Sequence, residues 1–369
     1  MKESARSEDR LWMERAFGTA LAHWGRALPN PCVGAVAVAD GEEIGSGWSR
    51  PAAEGGAHAE VGAIAAAGER ARGATLYVTL EPCSHWGKTP PCADAIVRAG
   101  FARVVVGARD PNPLVDGRGV RVLRDAGIEV AFEGLDGRIE EAYAGFFHRI
   151  REGRPLVELK MAATADGFVA REDGSPMAIT GDEARRWTHD RRALCDAVLV
   201  SARTARNDRP RLDVRDSSWP VPHLPARAVV GRRADFAPDD PLFAPDGAPV
   251  LLFAREFAPD LPARAERIVL KGETLAECVS EALSELGRRG MHRVWVEPGP
   301  ELALAMLENG LADRFFLLRS PEKAGSGLSA GPVLDWLRNA EIAKLGHLGR
   351  DSLTEFRPKP SGPPDKQGD

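Results

Sequence analysis

Two short runs in the 369-residue chain carry side chains that could do chemistry together. One is His58-Ala59-Glu60. The other is Glu81-Pro82-Cys83, answered nine residues beyond that cysteine by Cys92, which follows Pro90-Pro91. One imidazole and two thiolates form a donor set suited to Zn2+, with the fourth tetrahedral position left to water. Zinc lowers the pKa of such a water to about 7. Glu60, two residues from His58 at a helix start, can enter the same cavity without sharing its helix face. It is then the group to take the water's proton and deliver it to a ring nitrogen and a departing amine. Cys92 opens a helix, where free N–H groups and the dipole favour a thiolate. A closed structural site with His85 as fourth ligand is the alternative.

These side chains need elements to hold them. The spacing predicts a helix over 7–24, ended by Leu28-Pro-Asn-Pro-Cys32, because two prolines cannot continue it. Strands over 33–39 and 44–48 and a helix over 58–67 follow. Next come a strand over 74–79, a helix over 91–99 and a strand over 103–107. A helix over 120–126, a strand over 128–132 and a helix over 136–150 complete the series. This alternation predicts an α/β layered domain, 1–150. After a short linker, 151–155, a second α/β series begins. Its predicted strands are 156–161, 197–200, 226–230, 249–253, 267–269 and 293–296, and its helices are 182–192, 275–287 and 301–308. Residues 357–369 are expected to form a disordered tail.

Composition narrows the function classes. The net charge is −5 and arginines are interleaved with acids, so extended nucleic-acid binding is not expected. No run approaches the roughly 20 apolar residues needed to span a bilayer. The charged start and five unevenly spaced cysteines point to the cytoplasm, with Cys32, Cys195 and Cys278 as small core residues.

Zinc deaminases carry H-x-E followed by P-C-x-x-C. Here the second cysteine lies nine residues on. That insertion, Ser84-His-Trp-Gly-Lys-Thr-Pro-Pro91, together with Pro29-Asn-Pro31 and Asp110-Pro-Asn-Pro113, resembles the deaminase half of the bifunctional riboflavin-biosynthesis deaminase/reductases. The resemblance continues from Arg154 to about Leu318 through Lys160-Met-Ala-Ala-Thr-Ala-Asp-Gly167, Ile179-Thr180, Thr204 to Pro210 and Val296-Glu-Pro-Gly-Pro300.

The resemblance implies a cytidine-deaminase-like α/β/α domain joined to a dihydrofolate-reductase-like α/β domain, 154–356. The implied function is zinc-dependent deamination of a phosphoribosylated diaminopyrimidinone, then NADPH-dependent reduction of its ribosyl group to ribityl. It makes His58, Cys83 and Cys92 the zinc ligands and Glu60 the proton shuttle. Asn30, His85 and Lys88 become deaminase substrate contacts. Ala162, Thr204, Asp208 and Gly299 would face NADPH. Arg192, Leu212, Arg215 and Glu297 would face the reductase substrate, the arginines being suited to a bidentate hold on its phosphate. A homo-oligomer through the second domain is also implied.

Four stretches depart from the family pattern. Pro176 and Ala178 stand where a serine and a tryptophan are usual, Arg203 replaces a glycine, Arg209 replaces an aspartate, and Ser320 to Gly327 alters a glycine-rich element. A glycine allows close backbone approach, and an arginine side chain at 203 could block it. Two further readings therefore stand beside the bifunctional enzyme: a deaminase whose second domain is only a scaffold, and a nucleic-acid base deaminase. A non-enzymatic zinc module is the remaining class.

Overall fold

The computed structural model describes residues 2–86, 90–219 and 223–358. Lys88 and the expected disordered tail beyond residue 358 lie outside them. The chain divides into two compact units, Met1–Arg154 with Trp219–His223, and Pro155–Ser218 with Leu224–Asp369.

The first unit runs α1 (Lys2–Leu21), β1 (Gly34–Ala39), β2 (Glu42–Trp48), α2 (Ala59–Ala67), β3 (Thr75–Leu80) and α3 (Cys92–Ala99). It continues through β4 (Arg103–Ala108), α4 (Arg118–Asp125), β5 (Glu129–Phe132) and α5 (Arg138–Glu152). Its sheet has the order β2-β1-β3-β4-β5. β1 is antiparallel to both neighbours, and β3, β4 and β5 are parallel.

Glycines show where the helices press. A Cβ on Gly34 would stand 2.1 Å from the Ala16 carbonyl of α1, and one on Gly47 2.3 Å from the Ala59 carbonyl of α2. Gly47 pairs with Ala35, the neighbour of Gly34, so the two glycines face opposite sides of the sheet. Hence α1 and α2 lie on opposite faces. Tyr77 donates to Asp9 of α1, and Thr79, two residues along the same face, contacts Tyr143 of α5. The helix α5 therefore shares the α1 side, and the unit has three layers. It also runs to Glu152, into the segment expected as linker.

The second unit runs β6 (Leu156–Ala163), β7 (Phe168–Ala170), α6 (Asp182–Ala193), β8 (Ala197–Ser201), α7 (Ala202–Asp208), β9 (Ala226–Ala234), β10 (Val250–Phe257) and β11 (Ala265–Val269). Then follow α8 (Leu275–Arg288), β12 (Arg293–Val296), α9 (Pro300–Glu308), β13 (Arg314–Arg319), β14 (Leu328–Ser329), α10 (Gly331–Leu337), β15 (Glu341–Leu348) and β16 (Asp351–Arg357). Nine strands form one sheet, β11-β10-β9-β8-β12-β6-β13-β16-β15. It is parallel from β11 to β13, and the β15–β16 hairpin closes it antiparallel.

Alternation along the strands divides the core. Val294 and Val296 join Val157, Leu159 and the apolar stripes of α8 and α9. Trp295, between them, joins Val198, Val200 and Phe316 on the other face. On that second face the strands also bury charge. Glu158 is fully buried, accepting from Arg293 at 2.7 and 3.0 Å, from Arg191 at 2.9 Å and from Arg314 at 3.2 Å. Buried ions persist only when paired and hydrogen-bonded in this way.

Several elements were not expected. Ser201 caps α7 by accepting from the Thr204 N–H at 3.0 Å, giving a helix where the sequence suggests only a continuation beyond a strand. β7 and everything from β13 to β16 are likewise new. Cys32, Cys195 and Cys278 are buried, as expected.

Candidate active sites

In the first unit the backbone ladder gathers the chemistry at one end of the sheet. Ser49 N–H donates to the Val33 carbonyl, and Arg50 N–H to the Ala57 carbonyl beside His58. Beyond β3, the Cys83 carbonyl accepts from Ala93 N–H at 3.1 Å, seating the start of α3. His58 is the N-cap of α2, with Glu60 buried in its first turn, and Cys92 is the first residue of α3.

His58 Nδ1 stands 3.1 Å from Cys92 Sγ and 3.6 Å from Cys83 Sγ, and all three donor atoms lie within 4.8 Å of one another. Donors about 2.0–2.3 Å from one tetrahedral cation would stand about 3.5–3.8 Å apart, so the group fits zinc. Electrostatics fit as well. The Cys83 thiol is drawn down to about 4, first by the hydrogen bond from Cys92 and then by His58 and the Cys92 N–H. Cys92 is pushed up by that same bond, by burial and by Glu60. The sequence reads both cysteines as thiolates; without a metal the negative charge settles on Cys83. Two sulfurs compete here for one negative charge, and a divalent cation removes the competition.

The Glu60 carboxyl is raised first by burial, with His58 opposing. His85 lies outside the group of three donors, so the closed four-ligand alternative is not what forms. Its Nδ1 is buried without a hydrogen bond. Asp110 was passed over as a site residue. Burial raises it to about 6 while the charges of Glu81 and Cys83 add and that of His85 subtracts, so it lies in the same electrostatic neighbourhood. Its only sequence signal is the Asp110-Pro-Asn-Pro113 run. Asn30 is exposed on the loop that leads into β1.

In the second unit the expected residues collect beyond the carboxyl ends of β6, β8 and β12, where open α/β sheets bind ligands. Arg192 of α6 donates through Nε to Glu297 Oε1 at 2.6 Å and through Nη2 to Oε2 at 2.8 Å. Trp295 Nε1 adds a third bond to Glu297 at 3.0 Å. Burial raises the Glu297 carboxyl, but Arg192 and Lys160 outweigh it and hold it at about 2. The third arm of Arg192 reaches the Asp213 carbonyl at 2.9 Å. Its guanidinium is thus held between Glu297 and the Asp213 carbonyl. Arg215 bonds the buried Asp213 carboxylate, which Arg211 also meets at 2.9 Å. Arg215 keeps over half its side chain exposed.

Leu212 is buried with φ of 50°, and Arg209 has φ of 42°. Left-handed backbone in side chains this large stores strain, which clusters at binding sites. Thr204 and Gly299 adjoin one another: a Cβ on Gly299 would lie 3.8 Å from Thr204 Oγ1. Gly299 has φ of −72°, so neither its backbone nor its neighbours demand glycine. The space that a Cβ would fill, at the opening of α9, suits the phosphates of a dinucleotide such as NADPH. Arg203 pairs with Glu301 in the first turn of α9 at 3.4 Å, both side chains largely exposed (66 and 73 %). Asp208 is raised, first by burial and then by Glu297. Ala162 lies on the side of β6 that carries Lys160 and Glu158. Lys160 itself was missed; burial lowers it while Glu297 opposes, and its signal is a lone lysine inside an apolar strand.

Comparison with known proteins agrees with this division. Residues 6–108 match the cytidine and deoxycytidylate deaminase zinc-binding region, and residues 155–344 match the RibD C-terminal domain. The riboflavin biosynthesis protein RibD of Escherichia coli is 37% identical over 362 residues, covering 93% of this chain and 98% of that one. Its Aquifex aeolicus counterpart is also 37% identical, covering 95% and 99%. A Thermotoga maritima diaminohydroxyphosphoribosylaminopyrimidine deaminase/5-amino-6-(5-phosphoribosylamino)uracil reductase superposes with a TM-score of 0.76 at 33% identity, covering 96% and 100%. An Acinetobacter baumannii RibD structure gives 0.74 at 32%, covering 96% and 99%.

Proposed function

The chain belongs to the RibD family of riboflavin-biosynthesis deaminase/reductases, and from that membership we propose how its own side chains divide two reactions on one pyrimidine. It is an enzyme with a zinc-dependent deaminase unit and an NADPH-dependent reductase unit. A deaminase with an inert second half is not favoured, since its relatives match across nearly the whole chain. We assign deamination to 1–150 and reduction to 154–356.

The deaminase substrate is read as a diaminopyrimidinone carrying a phosphoribosylamino group. His58, Cys83 and Cys92 would hold zinc, which supplies a Lewis acid that makes water reactive near neutrality. Glu60 would carry one proton from water to the ring nitrogen and a second, from the hydroxyl that the water becomes, to the departing amine, which leaves as ammonia. A buried carboxyl whose pKa burial raises is more readily protonated than a free one, which suits a proton shuttle. Asn30 orients the ring, and His85 and Lys88 take the ribose or phosphate end.

In the reductase unit, Ala162, Thr204, Asp208 and the Gly299 turn line the NADPH side. NADPH supplies hydride, and one proton must accompany it. Lys160, half-buried on the same strand face as Ala162 and lowered by burial with Glu297 opposing, is placed to give that proton. Glu297, ionised at neutral pH and oriented by Arg192 and Trp295, accepts from the substrate's N–H or O–H groups. Leu212 packs on the substrate and Arg215 holds its phosphate. The Arg192–Glu297 fork carries this reading, since it holds an ionised, partly exposed carboxylate in one orientation at the end of β12.

The net charge of −5 supports a small-molecule substrate and no nucleic-acid partner. Among the described residues no helix is long and apolar enough to cross a membrane, and we place the enzyme in the cytoplasm. We read it as a homo-oligomer through the second unit, supported by the edge strand β15, where Ile342 and Leu345 are 55 and 69 % exposed. Light scattering on Leu345→Glu, expected to be monomeric, tests that. The activities are tested in one assay that follows ammonia and NADPH together. Ammonia release followed by NADPH oxidation is expected. No ammonia rejects the deaminase, and ammonia with no NADPH oxidation rejects the reductase.

A further inference from the structure

The loop that presents Asn30 is tied to a helix outside the matched zinc-binding region. Tyr143, on α5, is 1% exposed, and its hydroxyl donates to the Cys32 carbonyl at 2.9 Å. With that proton committed, the 2.7 Å contact between Thr79 Oγ1 and the Tyr143 oxygen runs from Thr79 to Tyr143. Thr79 Oγ1 in turn accepts from the Gly34 N–H at 3.1 Å. The relay closes a ring, from Gly34 through Thr79 and Tyr143 back to Cys32, two residues before it.

This ring fixes one peptide plane on both edges. The plane between Cys32 and Val33 offers its carbonyl to Tyr143 and its N–H to Ser49 Oγ at 3.1 Å. A trans peptide is rigid, so holding both polar atoms holds its orientation. Upstream stands Pro31, whose ring locks φ. Few soft torsions remain between the clamped plane and Asn30. Meanwhile the Cys32 thiol is spent on the carbonyls of Ala20 and His23, both at 3.3 Å, so the side chain cannot swing to follow the backbone. The ring of Trp24 stacks on Tyr143 with centroids 5.8 Å apart, limiting the phenol's own movement.

We propose that Tyr143 is a positioning residue of the deaminase, setting through the Cys32 carbonyl the direction from which Asn30 meets the pyrimidine. The inference rests on the reading of Asn30 as a ring contact. Tyr143 touches no reacting atom, so its loss acts on substrate binding and spares the proton shuttle. Tyr143→Phe leaves a buried carbonyl and a buried hydroxyl without their partner, a loss of about 1–1.5 kcal/mol, equivalent to roughly a five- to tenfold change.

The experiment measures deaminase KM, kcat and zinc content in Tyr143→Phe, Asn30→Ala and the double variant. KM should rise roughly five- to tenfold in Tyr143→Phe, with kcat and zinc unchanged. The double variant should be no worse than Asn30→Ala alone, because the two residues act in series. Multiplying effects in the double variant, or a fall in kcat with KM unmoved, would overturn the inference. A raised KM in Asn30→Ala with no change in Tyr143→Phe overturns it while leaving Asn30 in place. No change in Asn30→Ala removes the reading of Asn30, and the inference with it. Should Tyr143→Phe not accumulate as folded protein, Thr79→Ala breaks the same ring and should raise KM alike, whereas Thr79→Ser should keep it low.

Discussion

Arg192 covers both carboxylate oxygens of Glu297, Nε on Oε1 at 2.6 Å and Nη2 on Oε2 at 2.8 Å, across a separation of 105 residues. The pair joins the last turn of α6 to the turn after β12, so it orients a carboxylate and also fixes a helix. Lysine cannot reproduce a two-pronged contact. Arg192→Lys should therefore lower reductase kcat/KM by at least about tenfold, with ammonia release unchanged. Arg192→Ala, which strands Glu297, should also destabilise the second unit by about 3–5 kcal/mol. Denaturant melts beside the two-channel assay check both; a normal NADPH rate in Arg192→Lys would count against the assignment of Glu297.

Glu158 makes the acid limb of stability readable. Burial raises its carboxyl, but Arg191, Arg293 and Arg314 outweigh that and hold it at about 2, from an ordinary 4.5. A depressed carboxyl contributes stability that is fully present above its unfolded pKa and is lost as pH falls through the folded one. The contribution is thus complete above about 4.5 and disappears between 4.5 and 2. Glu158→Gln should be less stable than wild type at pH 7 and should lose less between pH 4.5 and 2. Urea midpoints across that range test it; parallel curves would mean the cluster is not coupled to folding. Glu297 titrates over the same window, so the limb shallows without vanishing.

The chemistry of the first unit was legible because it is local. His58-Ala-Glu60 opens a helix and Cys92 follows two prolines, and both features lie in short stretches of sequence. The parallel strands were legible for a similar reason, since apolar runs such as Val104-Val105-Val106 have no other use. What was missed is non-local. β15 is exposed along most of its length, so no apolar period marks it, and only pairing with β16 makes it a strand. Arg192 and Glu297 are named in the sequence only through the family resemblance, and their pairing appears only when the fold brings them together. Glu158 and Arg293 look like polar interruptions in strands; their three-dimensional partners are what allow them inside. α7 hid behind a serine whose capping bond to Thr204 has no apolar pattern to announce it.

Zinc retention and proton transfer are separable at the first site. Glu60 is no donor in the group of three, so Glu60→Gln should keep about one zinc per chain while deamination falls by roughly 100- to 10,000-fold. Cys83→Ala and Cys92→Ala should each lose the metal together with the activity. Elemental analysis beside ammonia release distinguishes the cases. An unchanged rate in Glu60→Gln would leave only a structural role for the centre.

The turn at Gly299 separates cofactor binding from folding. A Cβ there meets only Thr204 Oγ1, at an ordinary 3.8 Å, and φ of −72° suits any residue. Gly299→Ala should then cost no more than the about 1 kcal/mol expected for alanine at the N-cap of α9. The same methyl group occupies space that a dinucleotide phosphate needs against the start of α9, so NADPH binding should weaken by about tenfold or more. Arg203 provides the contrast. Its side chain points to Glu301 in an exposed ion pair, and such pairs are weak, so Arg203→Gly should shift the NADPH Kd by less than about threefold. Fluorescence titration of NADPH against both variants reads the difference directly. Tightening of much more than threefold in Arg203→Gly would mean that this arginine obstructs the cofactor after all.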